Sequence, residues 1–507
     1  MPTPDELIQA TLKEWIYKED HQHRIENYQL YESYYDGTFA DDDMLKLLKL
    51  DLNKLVSPRV REALGSDFKV IANYAKTVVN KAVGYLCSEP ISIEVKVDLF
   101  GLDGEDKKAL REAAQARAKE GERLLYQVYR YNNFLQKNII KLVRLQGKKG
   151  DVFVKCWLDR DDKMKPIKMA VLRPDYVFIK FKSDNYEDWE YIAIIYNKYD
   201  EQGNPYKFAQ VWWPDEWREY VIPPDGKSWT MTEQYPNEIG TIPIVHIKNM
   251  EDEKPWGESD IEVIRTLQDA ICKAFTDLMC NADYQAFQRT IISGYSPETP
   301  ASGDNARKDI TGPGTMTFIP SGDSGQNPAV FIVEPADPIG LINIINSIRE
   351  EISAHGRVPQ IALSQADGAG AASSLSLRIH YQPLDEKCNE KATLAAGGLQ
   401  QINKIIFAYH KILNKEDFTD LETEIRFYKS LPVDSLQQAQ ENDIYIKDKI
   451  KSRQTVMKEA GIDDVEDEEA QIQVESQLYD TDIYGGRVNN DLEALLGGQN
   501  NQNNSGQ

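Results

Sequence analysis

The chain has 507 residues, of which 41% are hydrophobic and 28% are charged, and its formal net charge at pH 7 is −23. A chain of this length can bury a large core, and roughly two to four domains are expected from length alone. The strong negative charge argues against general adhesion to nucleic acid, because the protein's own field repels phosphate groups.

Cysteine content and the N-terminal segment indicate the compartment. Five cysteines are scattered along the sequence and none forms a C-x-x-C pair, so no disulfide framework is expected. The segment "MPTPDELIQATLKEW" has no basic flank with an apolar run, and no run anywhere approaches about eighteen apolar residues. We expect a soluble protein of a reducing cytoplasm, not secreted by a standard route and without a membrane partner.

Helical patterns open the chain. The segment from Thr3 to Tyr35 is helical and rich in tyrosine, Asp67 to Tyr85 places apolar residues on one helix face, and residues 107–143 indicate further long helices. Short β-branched and aromatic runs follow, separated by Asp, Gly and Pro turns: "DVFVKCWL", "YVFIKF", "YIAIIYNK" and "FAQVWW". The N-terminal half is therefore predicted to mix helices and strands.

A capping box, "SDIE" at Ser259 to Glu262, predicts the start of a long helix. Apolar residues then recur at steps of three and four from Ile264 to Ala282, and no Gly or Pro intervenes before Gly294. At about 1.5 Å per residue, this helix is expected to run roughly 45 Å. One helical partner cannot cover its whole apolar stripe, so neighbouring subunits are expected to complete the packing in a closed cyclic oligomer.

Between Ser293 and Ala336 the composition shifts to Gly, Pro, Ser and Asp, with two short strand patterns, "TMTFI" and "AVFIV". These strands are too small for an independent core, so we expect them to pair with strands of an adjacent subunit. Asp337 and Pro338 then predict the N-cap and first residue of a second helix, which Gly356 is expected to close. Two helices that flank an insertion predict an antiparallel pair with the insertion at its far tip.

The stretch "SQADGAGAASS", Ser364 to Ser374, follows an apolar run and precedes a helical one, as phosphate-binding loops do. It lacks the third glycine of the dinucleotide fingerprint and the GK[ST] ending of a P-loop, so its small residues favour a mobile contact instead. The histidines show no H-E-x-x-H spacing, and "GDSG" has no upstream "AAHC" segment to complete a protease. We therefore predict no cofactor, no metal and no catalytic residue.

A third helical pattern runs from Ser374 to Leu413. Pro383 lies inside it and is expected to kink or break the helix, because proline removes a backbone donor and clashes with the preceding turn. A strongly acidic helical region follows from Ser435 to Leu478. The end, "GGQNNQNNSGQ", buries too little apolar surface to order itself and is predicted to be a tail.

A long helix, a Gly/Pro-rich insertion, a second helix, a small-residue loop, a proline-containing helix and an acidic helical region thus follow one another. Four strings accompany them: "YYDG" from Tyr34, "NYAKTVVNKAVGYLCSEPI" from Asn73, "IPIVHIKN" from Ile242 and "GESDIEVIRTLQDA" from Gly257. This arrangement resembles the portal proteins of tailed double-stranded DNA bacteriophages. The likeness covers most of the chain, and the order and spacing of the strings carry it.

The resemblance implies a predominantly helical α+β fold of the portal type, with a wing, a stem, a clip, a crown and a kinked tunnel helix. The implied parts are a wing over residues 1–256 to which 414–434 return, stem helices over 257–292 and 337–360, a clip over 293–336, a tunnel loop over 361–373, the tunnel helix over 374–413, a crown over 435–480 and a flexible tail over 481–507.

The resemblance also implies a function. Portal proteins form a ring of about twelve copies at one capsid vertex, a channel for DNA packaging and ejection, and they are not enzymes. The implied partners are further copies of the chain, the terminase large subunit, head-completion or adaptor proteins, and the major capsid and scaffolding proteins. Double-stranded DNA would pass through the channel without sequence specificity. The expected location is the virion, with assembly in the host cytoplasm.

Two sets of residues are candidates for contact with DNA. The tunnel-loop set is Ser364, Gln365, Ala366, Asp367, Gly368, Ala369, Gly370, Ala371 and Ala372. Only Asp367 is charged there, so the loop is not expected to hold phosphate tightly. The basic set, which would either line the channel or form ion pairs, is Lys273, Arg289, Arg349 and Arg357.

Two other functions stay open from the sequence. One is another ring or scaffold component of a virion, which should lack the clip insertion and the kinked helix. The other is a nucleotide-dependent enzyme, which would need a Walker lysine motif that this sequence does not contain.

Overall fold

The computed structural model of the chain divides into two units, Met1–Leu431 and Pro432–Gln507, and each is described by itself. The described residues are 19–39, 70–97, 108–182, 185–222, 228–251, 253–286, 290–293, 316–319, 329–332, 338–360, 374–414, 416–429, 442–459, 465 and 468–472.

The first unit contains long helices and short strands. Its helices are α1 (Glu19–Asp36), α2 (Tyr74–Leu86), α3 (Lys108–Tyr131), α4 (Lys137–Lys149), α5 (Arg265–Ala286), α6 (Ile339–Gly356) and α7 (Ser374–Asn414). Its strands are β1 (Ser92–Lys96), β2 (Asp151–Leu158), β3 (Ile167–Leu172), β4 (Val177–Lys182), β5 (Asn185–Tyr199), β6 (Pro205–Trp212), β7 (Glu216–Ile222), β8 (Thr230–Pro236), β9 (Ile244–Lys248), β10 (Thr290–Ser293), β11 (Met316–Ile319), β12 (Ala329–Ile332) and β13 (Glu422–Arg426). The α+β class predicted from the sequence is confirmed.

The strands form separate small sheets. Strands β4 to β8 make an antiparallel meander in chain order, and β2 pairs antiparallel with both β3 and β9. Strand β13 follows α7 and returns to pair with β1, with Ile425 opposite Ile93. Because β3 alternates buried and half-buried residues, one face of its sheet lies on the helices and packs into the core.

The largest hydrophobic core joins helices α2, α4 and α7 to the sheet β3–β2–β9. Val79, Leu142, Val154, Val245 and Ile402 represent these elements, and all five are buried in one cluster. Helix α7 packs along β9 and β13 and also contacts α2 and α3. In the part of the chain that the structure describes, we find no helix long and apolar enough to cross a membrane.

Helices α5 and α6 form the antiparallel pair that the sequence predicts. Gly356, at the end of α6, lies against Ile264, just before the start of α5. At the opposite ends, α5 leads toward β10 and α6 follows β12, and these two strands are hydrogen-bonded to each other. A helical hairpin that carries a small sheet at its tip results.

The tip sheet corrects the predicted end of the long helix. Residues 290–292, predicted as the end of the long helix, lie in β10, and α5 already ends at Ala286. Strand β10 is the middle strand of the sheet, parallel to β11 and antiparallel to β12. The two predicted strands are joined within the chain, because the β-branched run "TII" provides a central strand between them. Pairing with strands of an adjacent subunit stays a prediction.

Two further helix ends differ from the prediction. Helix α2 begins at Tyr74 rather than near Asp67, because the side chain of Asn73 accepts a hydrogen bond from the Lys76 amide and caps it. Gly356 is not the left-handed residue that closes α6; Arg357 is, with φ of 50°. A glycine is instead needed at 356 because a Cβ there would lie 3.2 Å from Val78.

The predicted capping box does not form as expected. The Ser259 hydroxyl accepts from the Ile261 amide at 3.1 Å, and the Glu262 carboxylate pairs with Arg265 at 3.2 Å. A 3₁₀ turn, Glu262–Ile264, therefore precedes α5, which begins at Arg265.

Pro383 lies inside α7, and the helix continues on both sides of it. Of the two outcomes predicted for this proline, a break is therefore excluded. In the second unit, helix α8 spans Arg453–Glu459 and residues 442–447 are also helical, within the region predicted to be helical from 435 to 478. The boundaries of wing, stem, clip, tunnel helix and crown stay predictions.

Candidate functional site at the helix junction

The segment that enters the helical hairpin is held against the end of α4. The Asp260 amide donates to the Gly147 carbonyl at 2.9 Å, and the Ser259 hydroxyl donates to the Lys148 carbonyl at 2.7 Å. A Cβ at position 147 would lie 2.9 Å from an Asp260 carboxylate oxygen, so only glycine allows this approach. The backbone thereby positions the Asp260 side chain in the protein interior.

Four side chains form what we call the junction cluster: Asn249, Asp260, Lys387 and Lys391. The Lys391 ammonium lies 2.9 Å from one Asp260 oxygen, and the Lys387 ammonium lies 3.3 Å from the other. The Asn249 amide donates to Asp260 at 3.0 Å, and Lys391 also donates to the Asn249 carbonyl oxygen. Asp260 is 0% exposed and Lys391 is 1% exposed, so this is an ion cluster inside the protein.

The electrostatics of the cluster favour the charged carboxylate. Burial alone would raise the pKa of Asp260, but the ammonium groups of Lys387 and Lys391 outweigh it and lower that pKa to about 2. Burial lowers the pKa of Lys387, and Asp260 opposes this change. A buried ion pair needs such close hydrogen bonding to offset the desolvation of its members.

The cluster joins the elements that the sequence predicts as stem, tunnel helix and wing. Asp260 precedes α5, both lysines lie on α7, and Lys387 donates to the Gly356 carbonyl at the end of α6 at 3.0 Å. Gln146 of α4 donates to the Lys248 carbonyl at the end of β9 at 2.9 Å. The segment that enters α5, helices α4, α6 and α7, and the end of β9 therefore meet at the junction cluster.

A second buried network holds the same segment to β2. Asp151 accepts from the Tyr28 hydroxyl at 2.5 Å and from the Gly257 amide at 2.8 Å, and the His246 ring nitrogen lies 2.7 Å from it. Lys149, two residues before Asp151 in the chain, bonds to Glu32 of α1 at 3.0 Å. The entry to the hairpin is thus anchored to α1, β2 and β9 as well.

A side chain of α5 also caps the start of α2. The side-chain carbonyl oxygen of Gln268 accepts hydrogen bonds from the backbone amides of Tyr74 and Ala75 at 2.9 and 3.1 Å. These amides belong to the first turn of α2, where no backbone carbonyl of the helix is available to accept from them. On the other arm of the hairpin, Arg349 donates to the Tyr74 hydroxyl at 2.8 Å. Both arms of the hairpin are therefore fixed to the same helix.

The described members of the predicted basic set lie on or beside the hairpin. Lys273 is half-buried and acts electrostatically on Asp277, one turn further along α5. Arg349 is half-buried in its bond to Tyr74, and exposed Arg357 lies 3.4 Å from Glu390 of α7. Arg349 and Arg357 thus have partners within one chain, and their contact with a channel stays a prediction. Arg289 and the tunnel-loop set, residues 364–372, lie outside the described residues.

The junction cluster was not identified from the sequence. Asp260 was interpreted as part of a capping box, and the two lysines were not singled out from the sequence. Their spacing of four residues was the available signal, because it places them on the same face of α7 as buried Leu384 and Cys388. Which carboxylate they meet depends on contacts across more than a hundred residues of chain, which periodicity does not report.

The geometry suits a structural joint rather than a reaction. The groups of the junction cluster are buried and bond to one another, which keeps them away from a substrate. Within the described residues, the structure brings together no group of three or more His, Cys, Asp or Glu side chains that could hold a metal.

Helix α6 exposes apolar side chains near the tip sheet. Ile339, Ile342 and Ile344 are 59%, 42% and 52% exposed, and Met279 of α5 is 45% exposed. Exposed apolar residues that cluster on one element mark a surface for protein contact.

Comparisons with known proteins bear on the family to which the chain belongs. A search of curated proteins gave no match. The family described as "Phage portal protein, SPP1 Gp6-like" matches residues 15–481, which is most of the chain.

Proposed function

Since the chain belongs to the phage portal protein family of the SPP1 Gp6-like type, a structural component of the virion, we propose that it forms the ring-shaped channel at one capsid vertex. DNA would enter through this channel during packaging and leave through it during ejection. The ring would contain about twelve copies, as closed cyclic symmetry requires one repeated interface. Assembly would take place in the host cytoplasm.

The exposed isoleucines of α6 carry the ring proposal. Ile342 and Ile344 are two positions apart, so they lie on different sides of α6, and both stay exposed although the helix packs on α5. In a cyclic ring each hairpin has a neighbour on both sides, and the neighbour would remove these side chains from water. Burying apolar area contributes about 25 cal/mol per Å².

The other parts have roles that follow from their positions. The tip sheet β10–β12 would form the clip, where the terminase large subunit docks during packaging and head-completion or adaptor proteins bind later. The other sheets of the first unit would form the wing, which meets the major capsid and scaffolding proteins. Helix α7 would be the tunnel helix, and the junction cluster would fix it to the stem.

The tunnel loop, residues 361–373, would contact the DNA. Its members Ser364 to Ala372 are small or uncharged apart from Asp367, so they would follow the duplex without fixing its register. The basic residues Lys273, Arg289, Arg349 and Arg357 would offset repulsion between DNA and an acidic channel. The ring would bind DNA weakly and without sequence preference, because each phosphate held by a cation adds to the force that opposes sliding.

Native mass spectrometry of a paired variant tests the ring interface. Changing Ile342 and Ile344 together to serine should shift closed rings toward monomers, because it removes apolar area from the proposed contact. Changing Met164 to serine is the matched control, since Met164 is 85% exposed on a loop far along the chain from the hairpin. A wild-type protein that stays monomeric at micromolar concentration across a range of salt contradicts the proposal.

A packaging assay tests the loop. Replacing Gly368 and Gly370 with proline fixes φ near −65° and stiffens the loop, so rings should still assemble while the rate or extent of packaging falls. Calorimetry with ATP, GTP and NAD tests the alternative that the loop binds a nucleotide. Such a loop would bind one of the three in the unmodified protein, and the double-proline variant would no longer bind it. Nucleotide binding at micromolar concentration that the prolines abolish would overturn this role of the loop.

A further inference from the structure

A large cavity lies in the first unit between the β2–β3 hairpin and the face of strands β6 to β8. Its volume is about 840 Å³, within the range of small-molecule sites. Aromatic side chains form much of the lining, with Trp212, Trp217 and Tyr235 stacked in series at centroid distances of 4.8 and 4.5 Å. Trp157 of β2 also lines the cavity. The cavity is therefore suited to a flat, apolar body.

One charged side chain lines this cavity from within. Lys155, on β2, is 9% exposed, and its ammonium lies 4.7 Å from the Trp212 ring centroid and 5.4 Å from that of Trp157. The ammonium donates to the amide oxygen of Gln210 at 2.6 Å. Gln210 in turn donates to Glu219 at 2.8 Å. The neutral Gln210 amide therefore lies between the Lys155 ammonium and the Glu219 carboxylate.

This ammonium is buried without direct contact to a carboxylate among the described residues that surround it. Burial lowers the pKa of Lys155 to about 8, and distant Glu219 only partly opposes the change. A buried cation next to a cavity, held by an amide and aromatic rings, is a feature of binding sites rather than of packing, because isolated buried charges are costly. A ligand anion would supply the counter-ion.

The charged residues at the rim of the cavity do not cancel the attraction of Lys155 for an anion. Asp159, Asp161 and Arg160 belong to the solvent-exposed end of the β2–β3 hairpin, and Arg160 pairs with Glu238. Charges in water are screened, whereas the Lys155 ammonium acts in an apolar surrounding where its attraction to an anion is stronger.

We propose that this cavity is a binding site for a carboxylate carried on an aromatic body, with Lys155 as the anion partner and the Trp212–Trp217–Tyr235 stack as the apolar wall. The carboxylate could come from a free small molecule or from the C-terminus of a peptide that ends in an aromatic residue. The site does not depend on the proposed ring, because its lining comes from one chain.

Isothermal titration calorimetry on the full chain tests the charge requirement with three matched probes. Indole-3-acetate should bind at least about tenfold more tightly than its neutral amide, indole-3-acetamide, because a charge-assisted hydrogen bond contributes more than a neutral one. Tryptamine, which carries a cation on the same ring, should bind most weakly. Equal affinities for the three probes, or no binding of indole-3-acetate at millimolar concentration, would overturn the proposal.

Two lysine variants separate the site from general stability. Lys155→Met should abolish the preference for the acetate over the amide, whereas Lys155→Arg should keep it. Lys198→Met is the matched control, because Lys198 also lies over an aromatic ring, that of Phe208, but does not line the cavity. A Lys155→Met protein that still prefers the acetate shows that another group binds the anion.

A tetrapeptide ending in tryptophan identifies the source of the ligand. With a free carboxylate it should bind, and with an amidated end its binding should fall about tenfold or more. Tighter binding of the peptide than of indole-3-acetate assigns the site to a protein C-terminus, and the reverse assigns it to a free small molecule. Equal binding of the free and amidated peptides together with equal binding of the small probes would refute the shared carboxylate requirement.

Discussion

The junction cluster and the cavity beside Lys155 both bury lysine, but the partners of the lysines differ. At the junction, Lys387 and Lys391 lie within ion-pair distance of the Asp260 carboxylate. In the cavity, Lys155 bonds to the neutral amide of Gln210. The first arrangement is complete within one chain, and the second leaves room for a ligand anion.

The difference indicates what each region does. A buried cation paired with a buried carboxylate fixes the elements that carry them, and removing one partner leaves an uncompensated charge. A buried cation beside a cavity costs stability, and proteins retain such a cost where they bind ligands. We therefore interpret the junction cluster as the joint between the helical hairpin and α7, and the cavity as a ligand-binding site.

The largest expected effect comes from removing the carboxylate at the junction. Asp260→Asn leaves two ammonium groups buried without their counter-ion and should lower the free energy of unfolding by about 3–5 kcal/mol. Urea unfolding followed by circular dichroism measures it. The control is Glu112→Gln, whose exposed pair with Lys108 should contribute less than about 1 kcal/mol. If the two variants lose the same stability, Asp260 does not hold the junction together.

The next effect tests close packing on the same helix. A Cβ at Gly398 of α7 would lie 2.4 Å from an Ile247 side-chain carbon of β9, so Gly398→Ala should cost about 2–3 kcal/mol. At Gly397 no atom lies within 4 Å of the added Cβ, so Gly397→Ala should be neutral or stabilising. Thermal unfolding of the pair measures this contrast. Equal melting temperatures would mean that α7 does not pack on β9 as closely as described.

The contribution of Asp260 to stability should depend on pH. The folded-state pKa of Asp260 is lowered to about 2, so its contribution is present above its ordinary pKa near 4 and is lost as the pH falls toward 2. About 2 kcal/mol should disappear over this window. Urea unfolding of the wild type and Asp260→Asn at a series of pH values isolates it. A difference between the two proteins that stays constant from pH 5 to about pH 2 would contradict the assignment.

The smallest expected effect is an increase in the free energy of unfolding. Lys155→Met replaces a buried cation with an apolar chain and should stabilise the protein by about 1 kcal/mol. Because the pKa of Lys155 is lowered to about 8, this gain should be full below pH 8 and shrink as the pH rises toward 10, where the folded wild type holds the lysine uncharged. Urea unfolding at pH 7 and pH 9.5 measures it, with Lys198→Met as control. Destabilisation by Lys155→Met would show that its charge is compensated.

The sequence was sufficient for elements with clear periodicity and turns. The strand "DVFVKCWL" coincides with β2, and the hairpin of α5 and α6 follows from its flanking signals. Strand β10 was missed because its apolar residues continue the helical steps of α5, and only pairing with β11 and β12 makes them a strand. Local pattern cannot separate these two outcomes.

The charged sites were beyond sequence reasoning for a different reason. Asp260 and Lys391 are 131 positions apart, and Lys155 occupies an ordinary place in an alternating strand. A lysine is exposed to water, ion-paired or able to bind a ligand depending on how deeply it is buried and which groups it contacts. Both depend on the folded chain, so the sequence pattern does not report them. The family resemblance supplied the architecture but not these contacts.

Electron microscopy of the purified full-length protein tests the central claim most directly. If the chain is the subunit of a portal ring, negatively stained particles at micromolar concentration should be closed rings with a central channel, and α7 should line that channel once the images reach helix resolution. Monomers under all salt conditions, or closed particles without a channel, would contradict the account.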